Sequence, residues 1–230
     1  MIELIQNCAN FGLFLTLGVY LLSTALAKRF PSPLTNPFLL SVVVIIPVLL
    51  LCRVDYDAYS ASAKQISALL TPATVSLAIP LYRQIALLKK HFKAILLGIL
   101  SGVLASAITI LGLCALFGLQ HTDFVTLLPK SVTTAIGMSL SEELGGVVAV
   151  TVTAIAVTGI LGNALAVWLC KLFRITEPIA KGLAIGTSSH VLGTSRAIRI
   201  GEVEGAMSGL SIAVAGLMTV VLAPLFAMLL

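Results

Sequence analysis

Long apolar runs joined by short polar connections make up most of the chain. The clean runs 94–119, 146–170 and 206–230 are each long enough for a hydrocarbon core, which needs about 20 helical residues. The other apolar runs are shorter or contain proline: 11–27, 38–51, 66–81 and 124–140. The alternation of apolar and polar residues that is typical of barrel strands is missing from the sequence. The pattern therefore predicts an all-α, polytopic membrane helical bundle.

Two regions do not fit a simple lipid-facing span. The run 124–140 is short and broken, and the region 178–198 is too polar to face lipid. Unpaired backbone groups cannot face hydrocarbon, so such discontinuous segments must be enclosed by other helices. We expect 124–140 to be re-entrant from the outside, and we expect 182–203 to dip into the membrane from the inside.

Charge supports this topology. The chain is 59% hydrophobic and 10% charged, whereas a soluble domain has about 25% charged residues. The net charge of +5 comes from short basic clusters at 28–29, 83–93 and 171–181. Such clusters predict cytoplasmic ends of membrane helices rather than a surface for nucleic acid. A complete crossing by 124–140 would place the last cluster outside, and a re-entrant segment removes that conflict.

Several classes of cofactor and signal are not expected. The four cysteines have no metal-ligand spacing, so neither a metal nor another cofactor is predicted. Glu3 and no basic residue precede the first apolar run, so we expect the first helix to remain as an anchor rather than to be cleaved as a signal peptide.

The broken segments also resemble one another. Residues 70–81 align without gaps on 127–138, and a shorter match joins 135–139 to 184–188. We interpret the first match as an internal repeat with helix breaks at Pro72 and Pro129. Interrupted segments in corresponding positions are typical of the binding sites of secondary transporters.

One polar motif lies inside the broken run. Leu127-Leu-Pro-Lys-Ser-Val-Thr-Thr134 places a proline where the first turn of a helix accepts it. The free N–H groups of a helix N-terminus attract anions, and Lys130 adds a cation. Ser131, Thr133 and Thr134 add hydroxyl donors, and the aligned Thr71 and Thr74 would be their uncharged equivalents. We predict a carboxylate site here; the alternative is that Lys130 only reaches up to the membrane interface.

A second motif is rich in glycine and hydroxyls. Gly186-Thr-Ser-Ser-His190 is followed by Gly193-Thr194, and we expect helix breaks at the two glycines. Ser188, His190 and Thr194 are the residues that we predict to face the same solute. The alternative is a packing face of small residues with a hydrogen-bonded histidine. A Ser/His hydrolase is disfavoured because no Gly-x-Ser-x-Gly motif surrounds these serines, so we expect no enzymatic activity.

These motifs, together with Glu204-Gly-Ala206, resemble the LrgB/CidB/YohK family of bacterial inner-membrane proteins. The resemblance covers nearly the whole chain and implies a single LrgB-like integral membrane domain over residues 1–230 in the bacterial inner membrane. It implies either of two functions. One is a holin/antiholin-like role in the control of murein hydrolases and autolysis, exerted with a small LrgA/CidA-type membrane protein. The other is transport, because plant relatives resemble plastidial glycolate/glycerate carriers and bacterial pairs are linked to pyruvate uptake.

The residues themselves favour transport. A lysine within a broken apolar run, with hydroxyl clusters and a repeat, predicts a carrier or facilitator of small monocarboxylates. The alternative is a regulator of autolysis with no solute transport of its own. Gly98, Gly102, Gly205 and Gly209 are small residues spaced four apart, which predicts either a homo-oligomer or close packing within one chain.

Overall fold

The computed structural model describes residues 10–30, 37–69, 72, 82 and 85–230. Over these ranges the chain forms nine helices and no strand. In chain order they are α1 (Phe11–Arg29), α2 (Pro37–Leu51), α3 (Tyr56–Ala68), α4 (Ile85–Phe117), α5 (His121–Leu127), α6 (Thr134–Glu143), α7 (Val148–Leu172), α8 (Pro178–Ile200) and α9 (Glu202–Ala227). The helices α1, α4, α7 and α9 are long and apolar enough to cross a membrane. The predicted all-α polytopic class is confirmed.

The chain divides into two compact units, 1–76 and 77–230. In the first unit α1 packs against both α2 and α3. The backbone N–H of Gly12 donates to Ser62 Oγ at 2.8 Å, and the Thr16 and Tyr59 hydroxyls are 2.7 Å apart. Most of the polar stretch 53–65 lies in α3, and the hydroxyls of Tyr59 and Ser62 form hydrogen bonds with α1. The expectation of a single domain stays a prediction.

In the second unit α4 and α9 run in the same direction. Near their starts, Ile95 and Ile99 share a buried cluster with Ala206 and Met207. Near their ends, residues 110–114 share another with 223–227. Burial of these apolar side chains against each other holds the two spans together.

The helix α8 folds back on itself at His190. Gly182 lies against Glu204, and Ile198 lies against the next residue, Gly205. A straight helix would hold residues 182 and 198 about 24 Å apart at about 1.5 Å per residue. The reversal is made at His190, whose φ of 41° and ψ of −140° interrupt the helix. The arms 178–189 and 191–200 therefore form a hairpin, as the predicted dip over 182–203 requires.

The helices α5 and α6 form another hairpin, which is the first in chain order, and the α8 hairpin is the second. Both α5 and α6 contact the start of α7. The Thr151 hydroxyl is 2.8 Å from the carbonyl oxygen of Thr126 on α5 and 2.7 Å from Ser141 Oγ on α6. The Val147 N–H donates to Thr126 Oγ1 at 2.8 Å. Because residues 126 and 141 lie beside the same turn of α7, the chain between them goes in and returns. This agrees with the re-entrant prediction for 124–140.

Both hairpins contact α7 at Ile155, in the first half of that helix. Gly137, which also lies close to Pro129 in the turn of the first hairpin, packs against the Ile155 side chain. His190, at the turn of the second hairpin, donates from Nε2 to the Ile155 carbonyl oxygen at 2.9 Å. The second unit thus contains two hairpins of opposite direction, each followed in the chain by a span, α7 or α9.

The basic clusters of this unit lie at one end. Ile95, near the start of α4, shares a cluster with Leu183 on the first arm of α8. Cys170, at the end of α7, shares one with Ile185 on the same arm. The lysines at 89–93 and the basic residues at 171–181 are therefore on the same side, as the predicted topology requires.

The helix breaks differ in part from those predicted. Pro129 lies in the break between α5 and α6 but not in the first turn of a helix, because α6 begins at Thr134. Gly186 and Gly193 are both helical, and the break in α8 falls between them. The glycines instead permit close packing: Gly186 lies against Ser208 and Ser211, and Gly193 lies against the first arm of its own hairpin.

The alignment of 70–81 with 127–138 falls mostly outside the described residues. Thr71 and Thr74 are outside the described residues. Pro72 is described and is exposed. Gly98, Gly102 and Gly205 pack within the chain, against Leu183, Thr187 and Ile198 respectively. This favours the alternative of internal packing for these small residues.

Replacing Gly193 by alanine should destabilise the hairpin. A Cβ at this position would lie 3.1 Å from the Ile185 carbonyl oxygen of the facing arm, so we expect the free energy of unfolding to fall by about 1–3 kcal/mol. Gly112→Ala is the matched control, because a Cβ there meets nothing within 4 Å and should stabilise α4 by about 0.4–1 kcal/mol. Thermal unfolding in detergent measures both. Equal effects of the two changes would contradict the hairpin.

Candidate functional site

A cleft of about 850 Å³ lies between α4 and the first arm of α8. Its lining consists mostly of small apolar and hydroxyl residues: His91, Ala94, Ile95, Gly98, Ser101, Gly102, Ala105, Ser106, Thr109, Lys130, Ser131, Glu177, Ile179, Ala180, Leu183, Ala184, Thr187 and Ser188. Both walls carry small residues, so their side chains leave the space between the two helices open. The cleft therefore runs along two helices that start at the same end of the unit.

Charge is placed at the two ends of this cleft. His91, where α4 departs from helical geometry, and Glu177, the N-cap of α8, line the end near the basic clusters. Lys130 and Ser131, in the turn of the first hairpin, line the other end beside Ser106 and Thr109. Helix α4 rises about 27 Å between residues 91 and 109 at about 1.5 Å per residue. Lys130 is thus far from the mouth marked by Glu177.

Lys130 is half-buried, and its Nζ donates to Ser131 Oγ at 3.0 Å. The Ser131 hydroxyl is in turn 3.5 Å from Ser106 Oγ on α4. No Asp or Glu is among the described residues that line this end of the cleft. An ammonium group held in an apolar bundle with hydroxyls and without a carboxylate is suited to binding an anion.

Thr187 adds a group that the sequence analysis did not select. Its Oγ1 is buried and has no hydrogen-bond partner among the described residues, although Thr187 lines the cleft. Together with Ser106, Ser131 and Thr219 it also lines a small adjoining cavity of about 20 Å³, room for about one water molecule. A buried unpaired hydroxyl costs about 1–3 kcal/mol, and a water molecule in the adjoining cavity would offset that cost. The neighbours of Thr187 in the motif 186–190 were the only sequence signal for it.

The other predicted site residues divide into two sets. Ser188 lines the cleft, and its hydroxyl donates to the Ala184 carbonyl oxygen at 2.7 Å. His190 and Thr194 are buried and are not among the residues that line it. Thr194 Oγ1 donates to the His190 carbonyl oxygen at 3.0 Å and is 2.7 Å from Ser208 Oγ. This is the packing arrangement that the sequence analysis gave as the alternative for this motif.

Thr133 and Thr134 also lie away from the lining. Thr133 is the N-cap of α6, without a side-chain capping bond, and Thr134 is exposed. The structure therefore brings together Lys130, Ser131 and Ser188 of the predicted set and adds Thr187. Among the described residues no group of three His, Cys, Asp or Glu could hold a metal ion.

Helical spans, two hairpins of opposite direction and a cleft that ends at a half-buried lysine define a polytopic α-helical membrane protein with a polar site enclosed by broken helices. The chain belongs to the LrgB-like family, whose model matches residues 16–229. This confirms the family inferred from the sequence motifs.

Curated relatives agree with this assignment. The chain is 37% identical over 217 residues to the antiholin-like protein LrgB of Bacillus cereus (strain B4264), which covers 94% of each protein. It has the same identity and coverage with the antiholin-like protein LrgB of Bacillus anthracis (strain A0248). No solved structure matches the chain.

The turn at His190 can be tested by two substitutions. His190→Ala should lower the free energy of unfolding by about 1–3 kcal/mol, because it loses the bond to Ile155 and keeps a backbone conformation unfavourable for an L-residue. His190→Gly loses the same bond but relieves the backbone, so we expect a net change within about 1 kcal/mol. Thermal unfolding in detergent measures both. A glycine variant as unstable as the alanine variant would show that the turn is unstrained.

Proposed function

We propose that the cleft binds a small monocarboxylate, similar to pyruvate or glycolate, and that the chain carries it across the bacterial inner membrane. The observation that supports this most directly is the half-buried Lys130 at the end of the cleft that is far from Glu177. A charged side chain at the centre of a membrane helix costs about 2.5–3.5 kcal/mol on insertion scales. A bound carboxylate offsets this cost because it supplies the missing opposite charge.

The neighbouring hydroxyls fit the same ligand. A carboxylate has two oxygens, so one can accept from the ammonium while the other accepts from a hydroxyl. Ser131 lies beside Lys130. Thr187 lines the opposite wall, and its buried hydroxyl has no partner among the described residues, so rotation of this side chain would turn the hydroxyl toward the solute without breaking a hydrogen bond. These three groups form the proposed binding site, and Ser188 lines the same part of the cleft.

The arrangement of broken helices suits transport. Carriers commonly place their solute near the middle of the bilayer, between discontinuous helices of opposite direction. Here Gly137, near the start of α6, and His190, at the turn of the second hairpin, both contact Ile155 on α7. Movement of one hairpin against the spans would change access to the lysine end of the cleft. We further propose that a small LrgA/CidA-type membrane protein is a partner of the chain.

A second candidate function is an antiholin-like role without solute transport. The name that the relatives carry, antiholin-like protein LrgB, favours this role more directly than it favours transport. In this case the chain acts through another membrane protein in the control of murein hydrolases. Both candidates are non-enzymatic.

The transport proposal makes Lys130 essential. Lys130→Ala should reduce the initial uptake of labelled pyruvate or glycolate into vesicles containing the purified chain by about 10- to 100-fold, the value of one charge-assisted hydrogen bond. Lys64→Ala, an exposed lysine on α3, is the control and should leave uptake unchanged. Equal uptake by the wild type and the Lys130 variant would reject the site.

Reconstitution separates the two candidate functions. We expect the purified chain alone to move at least one member of a panel of short carboxylates. A stable complex with a small LrgA/CidA-type protein, combined with no flux of any panel member by the reconstituted pair, would instead support the antiholin-like role.

The Thr187 hydroxyl should act on the solute and not on the fold. Thr187→Val should leave the free energy of unfolding unchanged or raise it, because the hydroxyl has no partner to lose. The same change should weaken pyruvate binding about 3- to 30-fold, measured as the concentration that gives half-maximal thermal stabilisation. Thr194→Val is the matched control for stability and should lower it by about 1–3 kcal/mol, because Thr194 loses two hydrogen bonds. A Thr187 variant as unstable as the Thr194 variant would contradict this role.

A further inference from the structure

A second cavity lies at the opposite face of α8, where α7 ends. Its volume is about 450 Å³, and it is lined by Val167, Cys170, Lys171, Arg174, Ile175, Thr176, Lys181 and Ile200. None of these residues lines the Lys130 cleft. The cavity is therefore separate from the proposed solute site.

Three cations converge on this cavity. Lys171 is in the last turn of α7, Arg174 follows it, and Lys181 is half-buried on the first arm of α8. The chain turns sharply between them, since the Ile175 N–H donates to the Cys170 carbonyl oxygen at 2.8 Å and Arg174 has a φ of 53°. No Asp or Glu is among the described residues in its lining. Basic residues that only mark the end of a membrane helix need not share a cavity, whereas these three line the same partly open one.

Apart from Thr176, the rest of the lining is apolar. Val167, Ile175 and Ile200 form the walls beside the charges. On the same last turns of α7, Trp168 and Leu172 are exposed by 58% and 57%. A ligand that fits must therefore be anionic at one end and able to continue along an apolar helix surface. A free inorganic anion has the first property only.

We propose that this cavity binds the phosphate headgroup of an anionic phospholipid. The three cations bind the phosphate, and the acyl chains lie along the exposed apolar face of α7. Basic pockets at the cytoplasmic ends of membrane helices have the charge that such headgroups require. Arginine adds a planar pair of donors suited to phosphate oxygens.

The position of the cavity gives the lipid a structural effect. Lys181 is near the start of the first arm of the α8 hairpin, and Ile200 is the last residue of the second arm. A headgroup between α7 and these two positions would hold the base of the hairpin closed. We therefore expect the lipid to raise the thermal stability of the protein.

Native mass spectrometry of the full chain with phosphatidylglycerol, phosphatidylcholine or inorganic phosphate tests the proposal. The wild type should retain phosphatidylglycerol and not phosphatidylcholine. Combined Lys171→Gln, Arg174→Gln and Lys181→Gln should weaken phosphatidylglycerol binding about 10- to 100-fold. The charge-matched control combines Lys89→Gln, Lys90→Gln and Lys93→Gln at the start of α4, all exposed and outside this cavity, and should retain the lipid.

Thermal unfolding of the wild type provides a measurement that needs no variant. Phosphatidylglycerol should raise the unfolding temperature more than phosphatidylcholine or millimolar inorganic phosphate. Equal loss of lipid in the two triple variants would overturn the proposal, because general surface charge would then explain binding. Stabilisation by inorganic phosphate alone, or by none of the three probes, would overturn it as well.

Discussion

Satisfaction of backbone hydrogen bonds in a medium without water is the constraint on which the rest of this structure depends. A helix that reverses inside the membrane leaves N–H and C=O groups without partners, so the reversal must be enclosed by protein. Here the enclosure is made by small residues. Gly159 and Gly162 of α7 leave room for His190 and Ser189, and Asn163 Nδ2 of α7 donates to the Leu192 carbonyl oxygen at 2.6 Å, just past the turn.

The same constraint connects the fold to the site. A cleft forms between α4 and the first arm of α8 because the glycines and alanines of these two helices do not fill the space between them. The turn of the first hairpin places Lys130 at the end of that cleft. A continuous helix in this position would cross the membrane and would have no turn there. The site is thus a product of the broken segments and not an addition to a regular bundle.

The length of the apolar runs was sufficient to predict the spans, since each of α4, α7 and α9 contains most of one clean run. Charge placement was sufficient for the two dips, because the reversals keep the basic residues at 89–93 and 171–181 on one side. The point of reversal in α8 could not be predicted, because glycine is the residue expected at positive φ and His190 occupies that position. Thr187 was missed because sequence does not show which hydroxyl of a helix lacks a partner, and His190 was assigned to the solute although its ring bonds to the backbone of α7.

The order of elements in the second unit carries a consequence for its origin. One hairpin precedes α7, another precedes α9, and the two spans cross in opposite senses. Duplication of one ancestral segment, a hairpin with its span, produces this order when the copies insert in opposite orientations. The short match between 135–139 and 184–188 joins the second arm of one hairpin to the first arm of the other, so the common order of elements, and not this match, carries the argument.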